Sequence, residues 1–275
     1  MCRYPLWEMW VTSTMKCMRS LESRVAVITG GAHGIGRSTA LRLDVEGAVV
    51  VVADRDIDAA HDVVERLGRA VAIEFDASDA ESVASVVEAT VKRFGRIDVL
   101  HNNVGVTSGA WSTDLDVLGT SLEVWDMIMA VNVRSHFIAA QAALPYMLAA
   151  GRGSIINTAS VAGERGKPGL TAYSASKAAV MQLTRSLAVQ YGRSNIRTNC
   201  VAPGVIATRQ LVDNAPDLEE ATLQQLPSPR VGQPQDVAAV VAFLASDESA
   251  FINGQVIRCD GGGSAGSDHR PIRRK

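Results

Sequence analysis

The sequence predicts an α/β protein of one domain, a doubly wound parallel sheet with helices on both faces. Three observations carry that expectation. Short β-branched runs alternate with longer amphipathic stretches through most of the 275 residues. The runs are continuously apolar rather than alternating, as strands covered on both faces must be. No internal repeat or Pro/Ser-rich linker interrupts the rhythm.

In chain order, a first strand at Val25–Thr29 leads through a glycine-rich turn into a helical pattern, Gly34–Glu46, which stops at Gly47. Strand Val49–Asp54 precedes helix Asp56–Leu67, and strand Val71–Phe75 precedes helix Asp79–Phe94. Strand Val99–Asn102 is followed by one long helical stretch, Leu122–Ala150, and strand Ser154–Thr158 by helix Ala172–Tyr191. Strand Arg197–Val201, helix Pro234–Ala245 and strand Gln255–Arg258 complete the series. Residues 205–230 carry Pro216, Pro227 and Pro229, show no strand signal and follow a strand end. They are expected to form a mobile lid on the ligand side of the sheet.

The ends fall outside this rhythm, which places the domain at residues 23–263. Residues 1–22 are expected to be a poorly ordered extension: Arg3, Glu8 and Lys16 break any apolar run there, excluding a signal peptide or membrane span. Residues 264–275 read as a solvated basic tail. Apolar residues at 47% with charged residues at 20% describe a foldable globular chain. With 27 Lys and Arg against 29 Asp and Glu the net charge is −2, so nucleic acid is not the expected partner. Cys2, Cys17, Cys200 and Cys259 form no CxxC pair, which argues against a disulfide framework and for a reducing, cytoplasmic setting. The histidines, His33, His61, His101, His136 and His269, show no metal-ligand spacing, so no metal is expected.

Thr29-Gly30-Gly31-Ala32-His33-Gly34-Ile35-Gly36 connects strand to helix. Glycines let the backbone turn tightly and approach a pyrophosphate, and the helix N-terminus beyond offers amides and a favourable dipole. Gly30, His33, Gly34, Ile35 and Gly36 are therefore candidate dinucleotide contacts; the bland reading is a tight βα connection with no ligand. Asp54, at the second strand tip and 24 residues after Gly30, can accept from both adenosine ribose hydroxyls and would repel a 2′-phosphate, so NAD is expected over NADP. Arg55 is the complication, since its guanidinium could pair with that phosphate. Asp76, followed by Ala77, can cap the next helix or contact the adenine amino group.

Tyr173-Ser174-Ala175-Ser176-Lys177 puts Tyr and Lys at i and i+4 on one helix face. A phenol that takes a proton near neutral pH needs a nearby cation, which Lys177 can supply. Ser160 ends the segment after the fifth strand, at the carboxyl edge of the sheet, where it can orient a substrate oxygen. Taken alone, such a Tyr–Lys spacing is also explained by a packed Tyr beside a solvated Lys.

Together these residues resemble the short-chain dehydrogenase/reductase family over about 240 residues, with Thr29–Gly36 similar to its cofactor turn. Asn102-Asn103-Val104-Gly105 resembles the family's NNAG motif with Val in place of Ala, and Pro203-Gly204-Val205-Ile206-Ala207-Thr208 its PG motif. Asp260-Gly261-Gly262 resembles its C-terminal ending. The resemblance implies a Rossmann fold, a catalytic set of Asn132, Ser160, Tyr173 and Lys177, and cofactor contacts at Asn103, Val104, Gly105, Pro203, Gly204, Val205 and Thr208 as well as Tyr173 and Lys177. It further implies hydride transfer between NAD(H) and a secondary alcohol or ketone, with Asn132 holding a water that relays protons from Lys177. A homotetramer is expected, built on the long Ala-rich helices. The pocket would be lined by residues 106–111, 161–170 and the lid, whose leucines favour a hydrophobic or cyclic substrate. Two alternatives stand beside this: an NADP-preferring carbonyl or 3-oxoacyl-thioester reductase, and a dinucleotide-binding protein without turnover.

Overall fold

A computed structural model describes residues 20–106, 112–214 and 217–266. Seven strands, β1 (Val25–Thr29), β2 (Val49–Asp54), β3 (Ala70–Glu74), β4 (Val99–Asn102), β5 (Gly153–Thr158), β6 (Ile196–Pro203) and β7 (Val256–Cys259), form one parallel sheet. Its order is β3-β2-β1-β4-β5-β6-β7. The chain winds outward from β1 in one direction and from β4 in the other, so the strand order reverses between these two. At that switch point the connections diverge and leave a crevice at the carboxyl ends of the strands.

All residues of β1 and β2 are buried, because helices cover both faces. On one face Ala26, Ile28, Val50 and Val52 pack beneath α1 (Gly34–Val45) and α9 (Pro234–Ala245). Their sequence neighbours Val25, Val27, Val49 and Val51 face the other way, against α3 (Ala80–Phe94) and α5 (Ser135–Ala150). Helix α2 (Ile57–Val64) lies between β2 and β3 in the chain. Both residue parities are apolar because each reaches a core of its own.

The predicted strands fall within two residues of the observed ones, and one expectation elsewhere is corrected. The stretch expected as one helix, Leu122–Ala150, comprises α4 (Leu122–Met129), a π-helical segment at Ala130–Arg134, and α5. Residues 205–230 carry the short helices α7 (Arg209–Asn214) and α8 (Leu218–Leu223). The sixth long helix, α6, spans Thr171–Tyr191. Among the described residues no helix is long and apolar enough to cross a membrane. Expectations for most of the N-terminal extension, the last residues of the tail and pocket residues 107–111 lie outside the described residues.

Candidate active site

The glycine-rich turn closes on itself more tightly than any side chain would permit. A Cβ on Gly36 would stand 1.9 Å from the Gly30 carbonyl oxygen, and one on Gly30, at φ 65°, would meet Val104 Cα at 3.0 Å. The turn is pinned from β4, where Asn103 Nδ2 donates to the carbonyls of Thr29 (3.1 Å) and Gly30 (3.0 Å). In return Thr29 Oγ1 accepts from the amides of Asn103 and Val104. Helix α1 then starts at Gly34 with no side-chain cap on His33 and no acidic residue in its first turn. Its first amides are left for an external anion. His33 pairs instead with Asp56 at 3.0 Å on the exposed side, and Ile35 packs against the core.

Asp54 ends β2 almost fully buried, its Oδ2 accepting from Ala32 N (3.0 Å) and its Oδ1 from Asp56 N (3.1 Å). The same carboxylate thus holds the glycine turn and faces the crevice edge. Arg55 beside it is exposed; Asp56 and Asp76 are held below their ordinary pKa mainly by bonds from Ala59 N and from Ser78, with a smaller contribution from the Arg55 charge. Asp76 does not cap the next helix: Asp79 does, accepting from Glu81 N. Asp76 lies three residues too early and instead accepts from both the amide and the hydroxyl of Ser78, closing a turn around buried Ala77.

At the opposite side of the switch point, Ser160, Tyr173 and Lys177 converge. The Ser160 hydroxyl accepts from Ala162 N (3.2 Å). Burial raises the Tyr173 phenol above its usual pKa, and the nearby Ser160 hydroxyl opposes that rise. Lys177 is 2% exposed; its Nζ lies 5.7 Å from the centre of the Tyr173 ring and donates to the Thr158 carbonyl at 3.0 Å. Desolvation brings the ammonium down to about 8. Asn132, fully buried in the π-helical segment, accepts from Val106 N (2.8 Å) and donates to Ser176 Oγ (3.0 Å). It thereby joins the loop after β4 to the helix bearing Tyr173.

The segment after β6 completes the crevice. Pro203 ends β6, Gly204 N donates to the Cys259 carbonyl, and Val205 accepts from Gly232 N. Thr208 brings its methyl to the glycine turn, 3.0 Å from where a Cβ on Gly34 would lie. The structure thus brings the sequence-predicted residues around one crevice, and the site residues fit a nicotinamide dinucleotide. It needs an uncapped helix start, a turn closely approached by backbone, and an edge carboxylate, and all three are present. Sequence reasoning missed Ser176, Thr158 and His136. Ser176 lies inside the Tyr–Lys motif itself; Thr158 acts through its carbonyl, which no residue type advertises. His136, neutral with its pKa pushed down to about 3 by burial and the Lys177 ammonium, donates to the Val104 carbonyl (3.1 Å).

Residues 30–264 match the family profile described as enoyl-(acyl carrier protein) reductase. A 3-oxoacyl-(acyl-carrier-protein) reductase of Thermotoga maritima is 40% identical over 246 residues, covering 88% of this chain and 98% of its own. Cyclohexanol dehydrogenase of an Acinetobacter species is 38% identical over 244 residues, covering 87% and 94%. Among solved structures, a 7α-hydroxysteroid dehydrogenase complexed with NADH and 7-oxoglycochenodeoxycholic acid superposes with a TM-score of 0.84 at 33% identity, covering 90% of this chain and 96% of that one. The chain belongs to the short-chain dehydrogenase/reductase family, oxidoreductases that act on CH–OH groups with a nicotinamide dinucleotide.

Proposed function

We propose that this enzyme interconverts a hydrophobic or cyclic secondary alcohol and its ketone with NAD(H), Tyr173 serving as general acid/base. The observation that carries the reading is a buried ammonium 5.7 Å from the ring of a phenol one helical turn away, with the Ser160 hydroxyl close enough to act on that phenol. When bound, the nicotinamide ring supplies the acceptor or donor of hydride. In oxidation Tyr173 takes the hydroxyl proton, and in reduction it returns it. Ser160 donates to the substrate oxygen, where charge develops. Lys177 holds positive charge near the phenol and can bond the cofactor ribose. The point that a Cβ on Gly105 would occupy lies 3.2 Å from Lys177 Nζ and 3.3 Å from Asn132 Oδ1. With glycine there, no side chain intrudes beside these two groups, which supports a proton relay through Asn132. Exposed Val212 and Leu223 add apolar lid surface, and the names of two relatives above specify a cyclic alcohol and a steroid.

The preference for NAD rests on Asp54 and on the company Arg55 keeps. Asp56 and Asp76 both interact with the charge of Arg55, the guanidinium next to the strand tip, so that charge is already partly matched. Asp54→Ser is expected to move the ratio of kcat/KM with NAD to that with NADP toward NADP by about 10- to 100-fold, the removed like-charge penalty. Initial rates with both cofactors measure this, and a wild-type enzyme that already prefers NADP overturns the assignment. Leu122, Met127, Phe137, Tyr146 and Leu148 leave apolar surface open on α4 and α5, which supports a homotetramer. Light scattering at micromolar protein is expected to return four chain masses, and a monomer refutes it. A panel of secondary alcohols and ketones, followed by absorbance of the reduced cofactor, tests the reaction itself.

A further inference from the structure

Helix α6 starts without a cap of its own. The residue before it, Leu170, has an apolar side chain and stands in the left-handed region at φ 61°. The orphan amides of the first turn are met from 58 and 59 residues earlier in the chain. Asp114 Oδ1 accepts from Ala172 N at 2.9 Å and Oδ2 from Tyr173 N at 2.8 Å, while Thr120 Oγ1 donates to Oδ1 at 3.3 Å. The main chain extends the clasp. The carbonyl of Asp114 accepts from Leu170 N, and that of Leu115 from the amide and hydroxyl of Thr171. The carboxylate at its centre is closed to solvent, Asp114 being 1% exposed, while Leu115 beside it is 46% exposed.

We propose that Asp114 is a positioning residue for the reaction: it fixes the first turn of α6, and with it the Tyr173 phenol against Ser160, and its charge sets how readily that phenol ionises. This rests on the reading of Tyr173 as general acid/base. Two physical effects follow from one carboxylate. The bond to the Tyr173 amide fixes the base of a side chain whose reach to the substrate oxygen must hold to well under an ångström. The negative charge also offsets the positive end of the α6 dipole, which on its own would favour phenolate. Lys177, one turn along α6, brings its ammonium to 5.7 Å from the Tyr173 ring. Cys200 on β6 and His136 on α5 lie near Lys177, both uncharged at neutral pH.

Asp114→Asn keeps the shape of the side chain, removes its charge and leaves one amide without its acceptor. With the best alcohol of the panel and NAD, kcat is expected to fall about 10- to 100-fold, the scale of a misplaced reacting group. The apparent pKa in kcat/KM for oxidation is expected to drop by a few tenths to about one unit as the repelling charge goes. Dinucleotide affinity, read by fluorescence titration, should stay within about twofold, since the clasp lies away from the glycine turn. A folded Asp114→Asn enzyme with wild-type kcat and pKa overturns the proposal. So does a variant whose pKa stays put while kcat and dinucleotide affinity fall together, because a scaffold role alone explains that. Should Asp114→Asn not fold, Thr120→Val removes the hydroxyl that bonds both the Asp114 carboxylate and the Asp116 carbonyl while leaving the carboxylate itself in place; a drop in kcat of about two- to fivefold is expected, and an unchanged kcat refutes the assignment. Tyr173→Phe run in parallel separates the two levels. An active Tyr173→Phe enzyme overturns the acid/base reading and this proposal with it, whereas an inactive one beside an unaffected Asp114→Asn overturns this proposal alone.

Discussion

Tyr173→Phe is expected to lower kcat by about 10³-fold in both directions, the middle of the range for loss of a positioned acid/base group, with dinucleotide affinity nearly unchanged. Phenylalanine fills the same half-buried slot and removes only the hydroxyl, so folding and the crevice should survive. What is lost is the proton carrier that the Ser160 hydroxyl acts on. The pH dependence gives a second signature. Alcohol oxidation needs phenolate, so kcat/KM rises with pH and levels off once Tyr173 has ionised; ketone reduction needs the neutral phenol and falls over the same range. Burial raises the phenol pKa, which places this range toward alkaline pH unless positive charge enters the site. Lys177, itself brought down to about 8, loses its charge in that range. Tyr173→Phe should abolish the Tyr-dependent limb, and a variant that keeps both rate and limb would remove Tyr173 from the chemistry.

The parts of this site that could be read from the sequence are those fixed by local chemistry. β1 and β2 announce themselves because burial on both faces leaves no position for a polar residue until the strand tip, where Asp54 appears. The turn at Thr29–Gly36 is legible because only glycine fits the approach of Gly36 to the Gly30 carbonyl. Tyr173 and Lys177 share a helix face by spacing alone. What escaped depends on contacts between distant segments. The π-helical turn that buries Asn132 breaks a stretch whose apolar pattern reads as unbroken helix, since a one-residue bulge barely disturbs the period. Asp76 and Asp79 are both plausible caps, and only the backbone path shows that Asp79 meets the first amides of α3. The cap of α6 is the extreme case: its own N-terminal residue is leucine, and the carboxylate that serves it arrives from a loop across the site.

Gly36→Ala is expected to be the most damaging of the conservative substitutions in the cofactor turn. Its Cβ would overlap the Gly30 carbonyl oxygen at 1.9 Å and press on Asn103 Nδ2 at 2.8 Å. The first neighbour is backbone and cannot rotate away; the second is the side chain that pins the turn through its bonds to Thr29 and Gly30. Relief therefore means opening the turn, which breaks those bonds and withdraws the helix start from any pyrophosphate. Overpacking of this kind costs about 1–3 kcal/mol or somewhat more, and 1 kcal/mol moves Tm by about 2–4 °C in a chain of this size. Dinucleotide affinity should fall further than stability does, by about 100-fold or more, because the amides that face the anion lie on the displaced segment. Gly166→Ala supplies the control for stability, since a Cβ there has no neighbour within 4 Å and its φ lies outside the left-handed region. Thermal melts with and without NAD distinguish the two sites: the wild type and Gly166→Ala should gain stability from the cofactor, and Gly36→Ala should not. A Gly36→Ala protein that melts like the wild type and is stabilised equally by NAD would mean that the turn can widen without loss, and the phosphate site would have to be placed elsewhere.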